Sequence, residues 1–114
     1  MNSSPKRILL VDDHQDTLDL FALVLTQAGY QIMPAKSVER ALDLVHENSF
    51  DLLILDSRLV DGSGVELCRL IRADDNLTPI LFCSGLAFEK NNLEAFDAGA
   101  RAYLVKPVNV SVFL

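Results

Sequence analysis

Short runs of apolar residues alternate along the chain with longer stretches in which apolar residues recur every three or four positions. The short runs are rich in Leu, Ile and Val and are bounded by polar residues, which favours strands over helices. They predict five strands, at residues 8–11, 30–35, 52–55, 79–84 and 102–105. Strands of this kind that alternate with helical patterns are typical of a doubly wound parallel sheet, with helices on both sides.

The predicted helices have capping residues at their ends. Gly29 ends the first helix, and Ser37 and Ser63 begin the second and third, the latter standing three residues before a glutamate as in a capping box. A weaker helical pattern runs over residues 89–98 and stops at Gly99. The residues predicted to face the core are Leu18, Phe21, Leu25 and Ala28 in the first helix, Val38, Ala41, Leu42 and Val45 in the second, and Leu67, Leu70 and Ile71 in the third.

Composition narrows the possible functions. A chain of 114 residues that is 50% apolar suits one domain, residues 1–114. Its formal charge of -6 argues against direct binding of nucleic acid, whose phosphates favour a basic surface. No apolar run approaches the roughly 18 residues of a membrane span, and the polar N-terminus lacks a secretion signal. We therefore expect a soluble cytoplasmic protein without a membrane partner, in which Cys68 and Cys83 are reduced, packed thiols.

Polar residues lie at the carboxyl ends of four of the predicted strands. Asp12 and Asp13 follow the first, Asp56 the third and Lys106 the fifth, and Ser84 ends the fourth. Each of these residues alone would more commonly be a helix cap, a turn residue or solvated surface. Because parallel strands present their carboxyl ends at one edge, where ligands bind in such sheets, all five are expected to converge there.

The expected cluster has an electrostatic consequence. Two carboxylates about 4 Å apart repel each other by about 4 kcal/mol at an effective dielectric constant near 20. Three carboxylates against one lysine therefore require either a protonated acid or a bound cation, and hard oxygen ligands suit Mg²⁺. With the metal, Asp56 could attack phosphorus as a carboxylate nucleophile. Lys106 and the Ser84 hydroxyl would contact the phosphoryl oxygens.

Four motifs, ILLVDDH, LLILDSRLVDGSG, PILFCSG and GARAYLVKP, occur in this order at the predicted strands. Together they make the chain, from about Lys6 to its end, resemble the receiver domain of bacterial two-component response regulators. The resemblance implies a flavodoxin-like α/β fold, a five-stranded parallel sheet with strand order 2-1-3-4-5. It also implies transfer of a phosphoryl group from a phosphohistidine on a sensor histidine kinase or histidine phosphotransfer protein. Such a domain is itself the phosphorylated product, so we expect signalling and self-dephosphorylation rather than ordinary enzymatic turnover.

The resemblance assigns roles to individual residues. Asp12 and Asp13, the latter most directly, would hold Mg²⁺ (or Mn²⁺), together with Asp56 and the backbone carbonyl of Arg58. Asp56 would be the phosphoacceptor, and Lys106 would contact the phosphate.

Two further residues would form the switch, and a third would position the lysine. Ser84 would turn toward the phosphoryl group and Tyr103 would then swing inward, while a cis peptide bond before Pro107 would aim Lys106. The output would be a changed surface near the fourth helix and fifth strand, with homodimerisation as one outcome.

The chain departs from the family pattern in three places. Val60 stands where the family usually has proline, so the loop after the acceptor is expected to be looser. Arg58 and Leu86 occupy positions that overhang the phosphoryl site and tune its lifetime in the family. Only VNVSVFL follows Pro107, so the fifth helix is expected to be largely missing, exposing an apolar strip, and the sequence to be the N-terminal part of a longer protein.

Three alternatives compete with a working receiver. A phosphatase of the haloacid-dehalogenase type would need a second acid where Arg58 stands. A flavodoxin-like scaffold for a small ligand would need a glycine- or hydroxyl-rich loop where DDHQD stands. A docking module that has lost phosphorylation would lack one of the acids, the hydroxyl or the lysine, yet all are present. Of the two histidines, His14 adjoins the acidic pair, but both are expected on the surface.

Overall fold

The structure is a computed structural model that describes residues 5–86 and 89–106. In chain order its elements are β1 (Arg7–Val11), α1 (Gln15–Gln27), β2 (Gln31–Ala35), α2 (Val38–Glu47), β3 (Leu52–Leu55), β4 (Arg58–Leu59), β5 (Gly62–Ser63), α3 (Gly64–Arg72), β6 (Ile80–Ser84), α4 (Glu89–Asp97) and β7 (Ala102–Val105). Five strands form one parallel sheet in the order β2-β1-β3-β6-β7. Since β6 and β7 are the fourth and fifth predicted strands, the predicted strand order 2-1-3-4-5 is confirmed.

The predicted capping residues lie at the ends of their helices. Ser37 Oγ accepts a hydrogen bond from the Arg40 backbone N–H at 3.0 Å, and Ser63 Oγ accepts one from that of Glu66 at 3.1 Å. Gly29 and Gly99 follow α1 and α4 with φ of 101° and 110°. These positive values favour glycine and end both helices as expected.

The sheet has an apolar core on each face. On one face, α1 packs its buried residues against the first and third strands. On the other face, α2, α3 and α4 share a larger core with the same strands and β6. Helices therefore cover both faces, as in a doubly wound fold. Cys68 and Cys83 are both buried free thiols, as expected.

Some predicted core positions were wrong. Ala28 is exposed because α1 ends at Gln27 and leaves Ala28 at the cap. Leu70 is 47% exposed, since the buried stripe of α3 runs through Leu67, Cys68 and Ile71 and leaves Leu70 on its flank. In α2, the predicted Leu42 and Val45 are partly buried and pack against the core, and Leu44, which was not predicted, is fully buried.

The loop after β3 has restraints that the sequence did not predict. It contains the two-stranded hairpin of β4 and β5, and the backbone N–H of Gly64 donates to the Ser57 carbonyl at 2.9 Å. The Asp61 carboxylate accepts hydrogen bonds from the backbone N–H groups of Val38, at 2.7 Å, and Glu39, at 3.0 Å. These two hydrogen bonds lower the pKa of Asp61. The loop is therefore tied to the N-terminus of α2 although Val60 replaces the usual proline.

Two expectations lie outside the described residues. The fifth helix and the cis peptide bond before Pro107 both involve residues 107–114, which are not described. Among the helices of residues 5–86 and 89–106, none is long and apolar enough to cross a lipid bilayer.

Candidate functional site

The register of the sheet brings the polar residues together. Val11 of β1 is paired with Leu55 of β3, so Asp12 and Asp56 leave neighbouring strands at the same level. Both are almost fully buried, at 3% and 7% exposure. Lys106 follows β7 in the same way, and its backbone N–H donates to the Ser84 carbonyl at 2.7 Å. The five polar residues predicted to converge therefore do lie at the carboxyl edge of the sheet.

Lys106 forms the cationic part of this edge. Its Nζ donates a hydrogen bond to Asp12 Oδ2 at 2.5 Å and lies 3.6 Å from Asp56 Oδ2. Burial alone would lower the pKa of Lys106, but the hydrogen bond to Asp12 and the charge of Asp56 outweigh it, so the pKa is raised. The ammonium is therefore held charged between the two carboxylates.

Within residues 5–86 and 89–106, Asp56 has few favourable partners for a buried carboxylate. Its Oδ1 accepts a hydrogen bond from the Ser57 backbone N–H at 2.8 Å. Burial and then the negative charge of Asp12 raise the pKa of Asp56, and Lys106 and Ser57 only partly oppose them. Since the ionised carboxylate is unfavourable here, any group that binds its negative charge is favoured.

Asp13 and His14 complete the acidic cluster. His14 Nδ1 lies 2.9 Å from Asp13 Oδ1 and 3.4 Å from Asp12 Oδ1, and the His14 side chain is 73% exposed. Ligand atoms of Asp12, Asp13, His14 and Asp56 all lie within 4.8 Å of one another. Three carboxylates at this spacing offer the oxygen donors that hard divalent cations require, so the residues fit a metal site.

Ser84 and Tyr103 meet at the loop after β6. The Ser84 side chain is buried, and its Oγ accepts a hydrogen bond from the Leu86 backbone N–H at 3.1 Å. The Tyr103 hydroxyl donates to the Leu86 carbonyl at 2.6 Å and lies 3.4 Å from Ser57 Oγ. The Tyr103 ring stacks on Phe82, with centroids 5.8 Å apart. Tyr103 therefore points inward, toward the residue that follows Asp56.

Arg58 lies in β4, two residues after Asp56, and its side chain is exposed. Arg58, Leu86 and Ser57 line one groove of about 700 Å³ between α3 and the loop after β6. Arg58 and Leu86 therefore line the same groove as Ser57, the residue that follows Asp56, while their position over the phosphoryl site stays a prediction.

The comparison with known families decides the identity of this fold and site. The model of the response regulator receiver domain matches residues 8–114. The chain belongs to this family.

Similar proteins include regulators from several bacteria. The transcriptional regulatory protein YrkP of Bacillus subtilis (strain 168) is 43% identical over 101 residues, which cover 89% of this chain and 43% of that protein. The polar-differentiation response regulator DivK of Brucella anthropi is 29% identical over 112 residues, 96% of this chain and 91% of DivK. The receiver chain thus spans less than half the length of YrkP but nearly all of DivK.

Solved receiver structures share the fold. A CheY-like response regulator receiver domain protein from Methanospirillum hungatei superposes with a TM-score of 0.92 at 32% identity, covering 96% of this chain and 88% of that one. A two-component response regulator from Clostridium difficile gives a TM-score of 0.91 at 30% identity, covering 95% and 88%. Solved receiver domains therefore share the fold of this chain over nearly its whole length.

One contact in this receiver site was missed from the sequence, and another was weighed but not favoured. The contact between Ser57 and Tyr103 joins residues far apart in the chain, and no local pattern indicates it. His14 was expected on the surface, and it is exposed, but its Nδ1 also contacts Asp13. Its position directly after the acidic pair was the available signal.

Proposed function

We propose that Asp56 accepts a phosphoryl group from a phosphohistidine on a sensor histidine kinase or a histidine phosphotransfer protein. The observation that carries this proposal is a nearly buried Asp56 carboxylate, 3.6 Å from the Lys106 ammonium, at the carboxyl edge of a receiver-domain sheet. Family membership supports the general role, and the geometry supports Asp56 as the acceptor.

The transfer needs one bond to form and one to break. An oxygen of the Asp56 carboxylate bonds to phosphorus while the phosphorus–nitrogen bond of the phosphohistidine breaks, and the electron pair stays on the histidine nitrogen. Because the attacking carboxylate carries no proton, no general base is needed. The acyl phosphate carries more negative charge than the carboxylate that it replaces, so beside Asp12 it would need the Lys106 ammonium and a bound cation to offset that charge.

Mg²⁺ is the proposed metal, held by Asp12, Asp13, Asp56 and the backbone carbonyl of Arg58. When bound, it supplies positive charge that neutralises the phosphoryl oxygens. Asp12 already accepts hydrogen bonds at both oxygens, from the His14 backbone N–H at 2.9 Å and from Lys106. Asp13 is the less committed ligand, which supports the more direct role that we assign to it.

Lys106 and Ser84 would bind the transferred group. The Lys106 ammonium lies close enough to Asp56 to pair with a phosphoryl oxygen after transfer. The Ser84 hydroxyl accepts a hydrogen bond from the Leu86 N–H, which it would exchange for one to the phosphoryl group. Since Tyr103 donates to the Leu86 carbonyl, movement of the loop after β6 would change the hydrogen bonds of both Ser84 and Tyr103. The signal is then a shift between two populations of the surface near α4 and β7.

On this proposal the domain is a cytoplasmic signalling module rather than an enzyme with a separate substrate. Its only chemistry would be phosphorylation and dephosphorylation of Asp56, and homodimerisation would be one possible output. The chain's own acidic balance, with a net charge of -6, disfavours direct contact with nucleic acid.

Intact-protein mass spectrometry tests the proposal. The protein is incubated with acetyl phosphate or phosphoramidate, with and without Mg²⁺. We expect a gain of one phosphoryl group that requires Mg²⁺ and is absent in Asp56→Asn. The matched control, Asp43→Asn on the exposed surface of α2, should be phosphorylated like the wild type. Absence of the gain in a folded wild-type sample would instead support a docking module that works without phosphorylation.

A further inference from the structure

An imidazole lies at the edge of the acidic site in addition to its carboxylates. His14 occupies the N-cap position of α1, and its side chain turns back toward the residues that follow β1. The Nδ1 atom lies 2.9 Å from an Asp13 oxygen and 3.4 Å from an Asp12 oxygen. The histidine therefore joins the same group of ligand atoms as the three acids.

We propose that His14 Nδ1 is a further metal ligand and makes the site select late first-row transition-metal ions, such as Co²⁺ and Ni²⁺, over Mg²⁺. The inference rests on the proposed function only in taking the acidic residues as a metal site; it does not require phosphoryl transfer.

The spacing of the donor atoms fits a shared ion. Two ligands at adjacent positions of an octahedral ion with bonds of about 2.1 Å lie about 3.0 Å apart, and two opposite ligands lie about 4.2 Å apart. The separation of 2.9 Å between His14 Nδ1 and Asp13 Oδ1 matches adjacent positions. An ion bonded to both atoms would replace the direct contact between them.

Asp13 and His14 remain available to bind an ion, whereas Asp12 is already engaged. Both oxygens of Asp12 accept hydrogen bonds, one from the His14 backbone N–H and one from Lys106. Asp13 and His14, with side chains 34% and 73% exposed, face solvent and can adjust to an incoming hydrated ion. Asp13 and His14 would thus be the first ligands met by a metal that then reaches Asp56.

The chemistry of the nitrogen donor sets the selectivity. Mg²⁺ prefers oxygen ligands and keeps several of its waters, so it gains little from an imidazole. Affinity for nitrogen donors rises from Mn²⁺ through Co²⁺ to Ni²⁺ and Cu²⁺. A receiver site with His14 should therefore bind Ni²⁺ and Co²⁺ more tightly, relative to Mg²⁺, than the same site without it.

Isothermal titration calorimetry on the full, untagged chain tests the inference, with Mg²⁺, Co²⁺ and Ni²⁺ titrated separately. We expect His14→Asn to weaken Ni²⁺ and Co²⁺ binding by about tenfold or more while changing Mg²⁺ binding by less than about twofold. The matched control is His46→Asn, which removes the other histidine, exposed near the end of α2. It should leave all three affinities unchanged. Asp56→Asn should weaken all three ions, which places them at one site.

A spectroscopic measurement provides a second readout. Pulsed electron paramagnetic resonance of bound Mn²⁺ should show coupling to a nitrogen nucleus in the wild type and in His46→Asn, and the coupling should be lost in His14→Asn. An unchanged ratio of Ni²⁺ to Mg²⁺ affinity in His14→Asn, or an equal loss in His46→Asn, would overturn the inference. Neither result depends on whether Asp56 gains a phosphoryl group, so failure of the phosphoacceptor role would be seen separately.

Discussion

Aspartates lie at both ends of the central sheet, and their surroundings differ. At the carboxyl end, burial and the charge of Asp12 raise the pKa of Asp56, which has one backbone donor among the described residues besides the nearby lysine. At the amino end, Asp75 accepts hydrogen bonds from the Thr78 hydroxyl and from the backbone N–H groups of Leu77 and Thr78. The hydrogen bond from the Thr78 side chain, followed by those from the two backbone groups, lowers the pKa of Asp75.

The difference lies in the number of fixed donors around each carboxylate. A carboxylate satisfied by donors of the fold stabilises the folded chain and has little affinity left for an outside group. A buried carboxylate with too few donors lowers stability but binds cations and electrophiles strongly. The same residue type therefore supports the structure at one end of the sheet and, on the proposed function, would react at the other.

Lys106→Met should cause the largest change in the free energy of unfolding, because it removes the ammonium between Asp12 and Asp56. Loss of one partner of a buried ion pair costs about 3–5 kcal/mol. Because the Lys106 side chain is 24% exposed, we expect a smaller loss, about 1–3 kcal/mol in the free energy of unfolding. Urea denaturation in EDTA measures it. The exposed Lys36→Met is the control and should change little; equal losses in both variants would contradict the comparison.

Asp56→Asn should have the opposite sign and raise the free energy of unfolding at pH 7, without divalent metal, by on the order of 1 kcal/mol. The folded pKa of Asp56 lies above its ordinary value of 3.8, so the folded state holds the proton more tightly than the unfolded one. Wild-type stability from this group is present below pH 3.8 and is lost as the pH rises through the folded pKa.

The advantage of Asp56→Asn should therefore shrink as the pH falls toward 3.8. Denaturation of both proteins at several pH values checks this. A variant that is less stable than the wild type at pH 7 would show that Asp56 is already well compensated by the fold.

Asp75→Ala should give the smallest effect, a decrease of about 0.5–1 kcal/mol in the free energy of unfolding, because it removes the acceptor of three hydrogen bonds near the surface. Since the folded pKa of Asp75 is lowered, its contribution is present above pH 3.8 and is lost as the pH falls through the folded pKa. Thermal unfolding at neutral and acidic pH, with the exposed neighbour Asp74→Ala as control, measures the difference.

Local sequence patterns predicted the fold better than they predicted the contacts between side chains. The run LLIL predicted β3 at its observed bounds because its residues are apolar on both faces. Parallel pairing then placed Asp12 beside Asp56 without any knowledge of side-chain geometry. Leu70 was placed wrongly because a helical repeat gives the direction of a stripe but not its width, which the neighbouring helices determine.

The missed contacts are those between distant parts of the chain. Asp61 reads as a turn residue before glycine, and nothing near it in the sequence indicates the backbone N–H groups of Val38 and Glu39. The approach of Tyr103 to Ser57 depends equally on how β7 is placed beside β6. Residue types at strand ends predict which chemistry is present, whereas such long-range contacts decide how firmly it is held.

The peptide groups of Leu86 have a consequence for how the domain can evolve. Ser84 and Tyr103 both bond to backbone atoms of this residue, so the link between them needs no particular side chain at position 86. Leu86 can therefore be replaced by a larger, smaller or charged residue while the hydrogen bonds of Ser84 and Tyr103 to its backbone are kept. On the proposed function, a substitution at position 86 would change the lifetime of the phosphoryl group while the contacts of Ser84 and Tyr103 with the backbone of this residue remain.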